Sequence, residues 1–482
     1  MNDSSLKEKT AKGLFWGGLG NGAMQLLNLT FGIFLARLLS TTDYGMVAVL
    51  TIFSATASIF SESGFILALV NKKKVNHDDY NAVFWFNITI GAALYALLFF
   101  CAPFIADFYH TPKLIPLARF QFLSFFIGSF GTAPMAYLFR NLMVKERSQI
   151  QIAAMIISGT AGVTCAFNGW GYWGIALQTV LYTTSTSVLL WIRSPWHPDF
   201  SFRLRALREL LPFSIKQLLT TIFTHINNNI FSALLGRFYT IQEAGYYSQG
   251  SKWTTMGYST IFGMINSVGQ PVFREASTDK ERLKHIFRKL MRFTAFISFP
   301  AMLGLGIVSH ELIAITITEK WLPCVPIMQI LCVWGAFMPI SALYSNLMNS
   351  IGRPDIYMWN TIALGFFQLL CVWVSYPYGL NTMLITYTSA NILWLLIWHY
   401  FAYKHIGIPL LDILKDIMPY LFLSIAVMYC TSLIASYVEN LYLSLLVKIT
   451  LAASLYIFFL WSLKSTVFKE SVQYLFKKKT IK

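Results

Sequence analysis

Apolar residues in this 482-residue chain fall in long unbroken blocks, not in the short alternating runs of strands. A block of about 20 residues is what a helix needs to cross the hydrocarbon core of a bilayer. Fourteen such blocks stand out: 13–39, 45–70, 82–103, 118–138, 150–168, 171–192, 213–236, 253–273, 293–313, 325–351, 356–376, 383–402, 420–438 and 441–463. The pattern predicts an all-α polytopic membrane protein of about 14 transmembrane helices. The second and eighth blocks carry the most Ser, Thr and Gly and give the weakest apolar signal.

Charge tests that count. Lys and Arg number 37 against 21 Asp and Glu. In a soluble protein a net +16 would suggest nucleic acid. With the N-terminus cytoplasmic and the loops alternating, 29 of the 37 fall inside and six outside, while Lys216 and Lys448 fall within spans. One miscounted span would reverse the side of every later loop and destroy this asymmetry. The positive-inside rule therefore supports fourteen spans with both termini cytoplasmic and no nucleic-acid partner. Trp170, Trp173, Trp253 and Trp321 fall at expected outer ends, and Trp191 and Trp196 at an inner end, as interfacial belts do.

Composition agrees. Apolar residues make up 56% and charged ones 12%, with a mean hydropathy of +0.56, whereas soluble domains carry about 25% charge. No sizeable soluble catalytic domain fits. The charged start (Lys7, Lys9, Lys12) precedes an apolar run too long for a cleaved signal, so a retained first span is expected. Five of the six cysteines lie in apolar runs, Cys324 lies in a loop, and none pairs in C-x-x-C spacing. No metal, disulfide framework or cofactor is expected.

The chain also repeats itself. Leu35-Ala-Arg37 and Gly45 recur as Leu235-Gly-Arg237 and Gly245, an offset of 200. Pro134 with Asn141-Leu-Met143 recurs as Pro339 with Asn346-Leu-Met348, an offset of 205. Both matches relate spans six apart. They predict two six-helix lobes, 1–200 and 201–402, related by a pseudo-two-fold along the membrane normal, with two further helices and a basic cytoplasmic tail in 403–482.

Polar groups inside spans are costly and so are the first place to look for function. Asn21, Gln25 and Asn28 share a face of the first span, and Gln217, Thr221, His225 and Asn228 make a stripe of like period in the seventh. The offset of 200 sets Asn21 on Thr221, Gln25 on His225 and Asn28 on Asn228. Matched stripes on repeat-related helices are expected to line a central cavity; the alternative is that they hold neighbouring helices together. The second span adds Ser54, Ser58, Ser61 and Glu62, and the eighth adds Thr255, Ser259 and Asn266. Glu62 and His225 are the ion-coupling candidates, through a titrating carboxylate and a near-neutral imidazole. Each also has a structural alternative, an ion pair with nearby basic residues or a buried neutral ring. Lys216 and Arg140, near the cytoplasmic mouth, are candidates for an anionic substrate, with snorkelling the alternative for Lys216. Gly18-x-x-x-Gly22 is expected to pack helices closely, and the basic stretch 274–292 to lie on the inner leaflet. No hydrolase, P-loop or paired-carboxylate motif appears. A multispan polymerase or ligase of glycans would need a long outer loop with catalytic groups. The long connectors here are cytoplasmic, so transport is the better reading and no enzyme is expected.

Several motifs in order carry a resemblance. They are Phe34-Leu-Ala-Arg-Leu-Leu-Ser-Thr-Thr-Asp-Tyr-Gly45, Ile105-Ala-Asp-Phe-Tyr109, Gly171-Tyr-Trp-Gly174, Gly236-Arg237 with Gly245-Tyr-Tyr247, Lys320-Trp-Leu-Pro323 and Gly352-Arg-Pro354. Over about residues 10–400 the chain resembles bacterial polysaccharide flippases of the O-antigen and colanic-acid type, within the multidrug/oligosaccharidyl-lipid/polysaccharide exporter superfamily. The resemblance implies a multi-pass inner-membrane flippase of undecaprenyl-diphosphate-linked oligosaccharides, working by alternating access and driven by an ion gradient. Its partners would be the lipid-linked oligosaccharide, membrane lipids and the polysaccharide polymerase machinery. A multidrug-type exporter is the alternative within the same superfamily. Relatives of this kind often carry an acidic residue mid-way along the seventh span, where this chain has Asn227, Asn228 and Asn229. Cation coupling at that point lacks its usual group.

Overall fold

The computed structural model describes residues 3–51, 53, 69, 72, 75–141, 143–200, 227, 229, 231–463, 465 and 467–470. Among them every regular element is helical: α1 (Asp3–Leu38), α2 (His77–Phe108), α3 (Leu114–Ser129), α4 (Thr132–Arg140), α5 (Val144–Phe167), α6 (Trp173–Arg193), α7 (Ile241–Ala276), α8 (Lys280–Ile307), α9 (Ser309–Ile317), α10 (Cys324–Ser350), α11 (Pro354–Ser375), α12 (Leu380–Ile406), α13 (Leu410–Ala435) and α14 (Leu441–Ser462). Ten helices are long and apolar enough to cross a membrane. The pair α3 and α4, bent by 47° at their junction, makes an eleventh if it is one span. Of the three remaining expected spans, the second and seventh lie largely outside the described residues. The eighth is α7, a continuous helix of 36 residues.

The fold divides into two compact units, Met1–Gly245 and Tyr246–Lys482. In the first, α1 packs on α5, α5 on α6, and α3 on both α2 and α6; in the second, α8 packs on α10 and α13, α12 on α10 and α11, and α13 on α14. Buried Phe84, Phe122, Phe273, Phe287 and Phe299 fill the spaces between these helices. Because lipid tails are as apolar as these side chains, close packing and interhelical hydrogen bonds hold such helices together.

Two turns repeat in structure as well as in sequence. Ser40 and Thr240 begin new helical turns, and each is braced by an acid three residues on. The Asp43 carboxylate accepts from Ser40 N at 2.9 Å and Ser40 Oγ at 2.6 Å, and the Glu243 carboxylate from Thr240 N and Oγ1, both at 3.0 Å. These are capping boxes, satisfying N–H groups that a helix start leaves free. Within the first unit the two boxes touch. A side chain at Gly45 would strike the carbonyl oxygen of Ile241, and one at Gly245 the carbonyl oxygen of Thr41. With an offset of 200 these two contacts are the same contact seen from either copy. A third correspondence is new: Ile105-Ala106 and Ile313-Ala314 each lead, five residues after the Ile, to a helix end in the left-handed region, His110 at φ 51° and Thr318 at φ 81°.

The structure corrects five expectations. The basic stretch 274–292 does not lie on the leaflet as one helix. It is divided by the Asp279 cap, which accepts from Glu281 N and Arg282 N, and its second part is the first half of spanning α8. The glycine that packs tightly in α1 is Gly20, against Ser148, while Gly22 has open space around it. Trp321 and Trp196 are core residues and not members of an interfacial belt. Cys324 opens α10 and is buried. Lys252, one of the six charges that the sequence count puts in outer loops, lies inside α7.

Candidate functional site

The polar face of α1 is open. Ser148 on α5 donates to the Trp16 carbonyl at 3.2 Å and packs on Gly20, and Phe31 packs on Gly159. That contact uses one side of α1. Asn21, Gln25 and Asn28 lie exposed on another and meet no hydrogen-bond partner among the described residues. The helix-gluing alternative would need partners for these three amides, and none is found among the described residues. Their cost in hydrocarbon would be several kcal/mol each.

In the second unit α7 shows the same division. Its buried residues Tyr247, Gly250, Thr254, Ile261 and Ile265 pack toward neighbouring helices, Gly250 meeting Ile327 and Thr254 meeting Cys332. Thr255, Thr260, Gly263, Ser267 and Gln270 are exposed, and half-buried Lys252 and Ser259 continue that face. By contrast the exposed face of α11 is Trp359, Phe366, Leu370 and Trp373, which suits lipid. Lys252, Thr260, Ser267 and Gln270 were missed from sequence, although the helical period of small polar residues continues past the apolar block at both ends. Asn266 plays a different part: it accepts a hydrogen bond from Asn346 at 2.9 Å and ties α7 to α10.

Arg140 is engaged elsewhere. Its Nη1 donates to the carbonyls of Leu69 at 2.6 Å and Lys72 at 2.7 Å, while Lys72 pairs with Asp79 at 2.9 Å. The guanidinium is a strap across the connection leading into α2. Glu62, Lys216, Gln217, Thr221, His225 and Asn228 lie outside the described residues. No three His, Cys, Asp or Glu side chains among the described residues come together as a metal site requires.

The short motifs turn out to be fold hardware. Asp43 also accepts from the Tyr172 N–H at 3.0 Å, beside Gly171 at φ 58°, which explains Gly171-Tyr-Trp-Gly174. Tyr109 is buried and donates to the Ala233 carbonyl at 3.1 Å, and Arg237 donates to the Phe108 carbonyl at 2.9 Å. Gly352 at φ 78° lets the chain turn, Pro354 opens α11, and Arg353 grips Asp355 at 2.8 Å. None of these groups points to a particular cargo.

Known proteins agree with this geometry. The family described as "Polysaccharide biosynthesis protein" matches residues 34–326. The Escherichia coli K12 lipopolysaccharide biosynthesis protein WzxC is 27% identical over 73% of this chain and 72% of its own length. The Bacillus subtilis teichuronic acid biosynthesis protein TuaB is 24% identical over 76% of each. Among solved structures, the lipid II flippase MurJ in an inward closed conformation superposes with a TM-score of 0.74 at 16% identity, covering 93% of this chain and 99% of MurJ. An inward-facing multidrug resistance MATE transporter gives 0.65 at 17% identity, over 80% and 94%. The fold is thus that of MurJ and the MATE transporters, and by its sequence the chain belongs to the polysaccharide biosynthesis protein family.

Proposed function

We propose that this chain is a flippase that carries a lipid-linked oligosaccharide, borne on undecaprenyl diphosphate, across the bacterial inner membrane for surface polysaccharide assembly. The observation that carries the reading is the pair of exposed polar helix faces, on α1 and on α7, which contrast with the apolar exposed face of α11. A glycan needs amide and hydroxyl walls, whereas its lipid tail is content in the bilayer. Names of the relatives point the same way, since WzxC and TuaB are named for the biosynthesis of surface polymers and MurJ as a lipid flippase.

In this reading two six-helix lobes, 1–200 and 201–402, alternate access, with 403–482 appended and both termini cytoplasmic. Asn21, Gln25 and Asn28 line the path with Gln217, Thr221, His225 and Asn228, and Lys216 meets the anionic head. Glu62 and His225 couple transport to an ion gradient. The test is a chromosomal deletion complemented in trans. Loss of surface glycan, with lipid-linked precursor held in the inner leaflet and restored by the wild-type chain, supports the proposal. An unchanged precursor distribution, together with altered resistance to cationic drugs, would favour a multidrug exporter instead.

A further inference from the structure

One turn of α7 collects hydrogen-bond donors that have no acceptor. Gln249 is 2% exposed, and its Nε2 is buried without a partner. Trp253, four residues on, has a buried Nε1 that is likewise unpartnered. Lys252 lies between them in sequence, half-buried, with no ion pair or hydrogen bond to any described residue. Residues three and four apart on a helix are neighbours, about 5–6 Å between Cβ atoms. These three side chains therefore share one patch of the helix surface.

Such a patch is expensive in a membrane protein. A lysine within a span is costly unless something anionic or wet meets it. Buried N–H groups left without acceptors add to that cost. Two other part-buried cations of the second unit are paired. Lys448 meets Glu311 at 2.6 Å, and Arg288 meets Asp416 at 2.7 Å. At Lys252 no carboxylate is supplied by the described residues, and the same turn adds two further donors. The patch also heads the exposed polar face that runs through Thr255, Ser259, Gly263 and Ser267. It lies eleven residues, or about 17 Å, along α7 from Ile241.

We propose that Lys252, with the Gln249 amide and the Trp253 indole N–H, forms an oxyanion site for the diphosphate of the lipid-linked cargo on the release side of the path. This rests on the flippase reading and deepens it. Ile241 is at the outer end of α7 in that topology, so the site lies in the outer half of the membrane, away from the cytoplasmic mouth where Lys216 stands. A tetrahedral oxyanion accepts from several donors at once, which suits an ammonium flanked by two N–H groups. A head group that leaves a cytoplasmic cation needs a second one further along, because crossing low dielectric unaccompanied is costly.

The site is tested on the purified full-length chain in detergent by calorimetric titration with farnesyl diphosphate, a soluble isoprenyl diphosphate. The wild-type chain is expected to bind it, inorganic pyrophosphate to compete, and farnesol and glucuronate to fail. Lys252→Gln should weaken binding about tenfold and Lys252→Arg much less, since a charge-assisted contact is being removed or kept. Trp253→Phe, which deletes one donor with little change of shape, should weaken it about threefold, and serves where Lys252→Gln is poorly recovered. Wild-type affinity in both Lys252→Gln and Trp253→Phe would overturn the proposal. Competition by glucuronate and not by pyrophosphate would overturn it too, by assigning the patch to an acidic sugar. Binding is read without transport, so its failure is distinct from that of the flippase reading, which the deletion strain decides.

Discussion

At Gly45 and Gly245 the reason for a residue is a neighbour's backbone. Each faces a carbonyl oxygen of the other capping box, Ile241 for Gly45 and Thr41 for Gly245, so there is no flexible side chain to give way. Gly245→Val is expected to destabilise the protein by about 1–3 kcal/mol, as overpacking does, seen as a lower melting temperature in detergent. Gly22→Ala should be neutral or slightly stabilising, because nothing lies within 4 Å and Ala is the better helix former. Equal melting temperatures for Gly245→Val and Gly22→Ala would sink this account. Arg140 makes the same point for a charge. From sequence it looked like a substrate cation; in the fold it donates to the Leu69 and Lys72 carbonyls. Both bonds leave the one Nη1, and Arg140→Lys keeps the charge but sets its ammonium short of the place that the guanidinium nitrogen reaches. It should therefore lower stability by roughly 2 kcal/mol, whereas a purely electrostatic role predicts near wild-type behaviour for Lys.

Between elements, the appended helices α13 and α14 are clamped to the core at both ends of α8. At one end Arg288 reaches Asp412 at 3.0 Å and Asp416 at 2.7 Å on α13. Beyond the other end, Glu311 on α9 accepts from Lys448 at 2.6 Å and Ser444 at 2.8 Å on α14, and Lys448 also donates to the Ile307 carbonyl at 3.0 Å. Glu311 is buried and Lys448 part-buried, and breaking a buried pair leaves an uncompensated charge, at a cost of about 3–5 kcal/mol. Lys448→Met alone should therefore destabilise strongly, and Lys448→Met with Glu311→Gln should recover much of the loss. A double variant no better than the single one would show that the pair is not the clamp. This clamp also marks the limit of what sequence makes legible. Span positions follow from local hydropathy, and most helices lie where the apolar blocks put them. The partner of Lys448 is 137 residues away, and no local period encodes it. The break at Val308 that detaches Glu311 from the ninth span is likewise invisible, since apolar residues continue on both sides. The candidate site divides in the same way. The α1 amides were legible because they repeat every turn, whereas Lys252 was hidden by a span boundary drawn at Trp253.

For the whole molecule the decisive quantity is parity. Eleven crossings follow from the described helices if α3 and α4 form one span, and α7 is long enough to be another. Those twelve already put both ends on one side, so the blocks 45–70 and 213–236 cross together or not at all if the basic ends are to share a side, and the loops between the two blocks decide which. Were the second block not to cross, Arg140, Lys145 and Arg147 would move to the outer face while Lys7, Lys9 and Lys12 stayed inside. Were the seventh not to cross, the basic cluster from Arg274 to Arg292 would move instead. The positive-inside rule disfavours both arrangements. Reporter insertions test this best in turns, of which Ser277–Asp279, between α7 and α8, is one. Insertions there and at Gly407, between α12 and α13, should report cytoplasm. Insertions at Gly379, between α11 and α12, and at Asn440, before α14, should report the outer side. An outer signal at Ser277 with a cytoplasmic one at Lys74 would mean that the seventh block does not cross. The polar face of α7 would then run in the opposite direction, and Lys252 would stand at the loading side of the path instead of the release side.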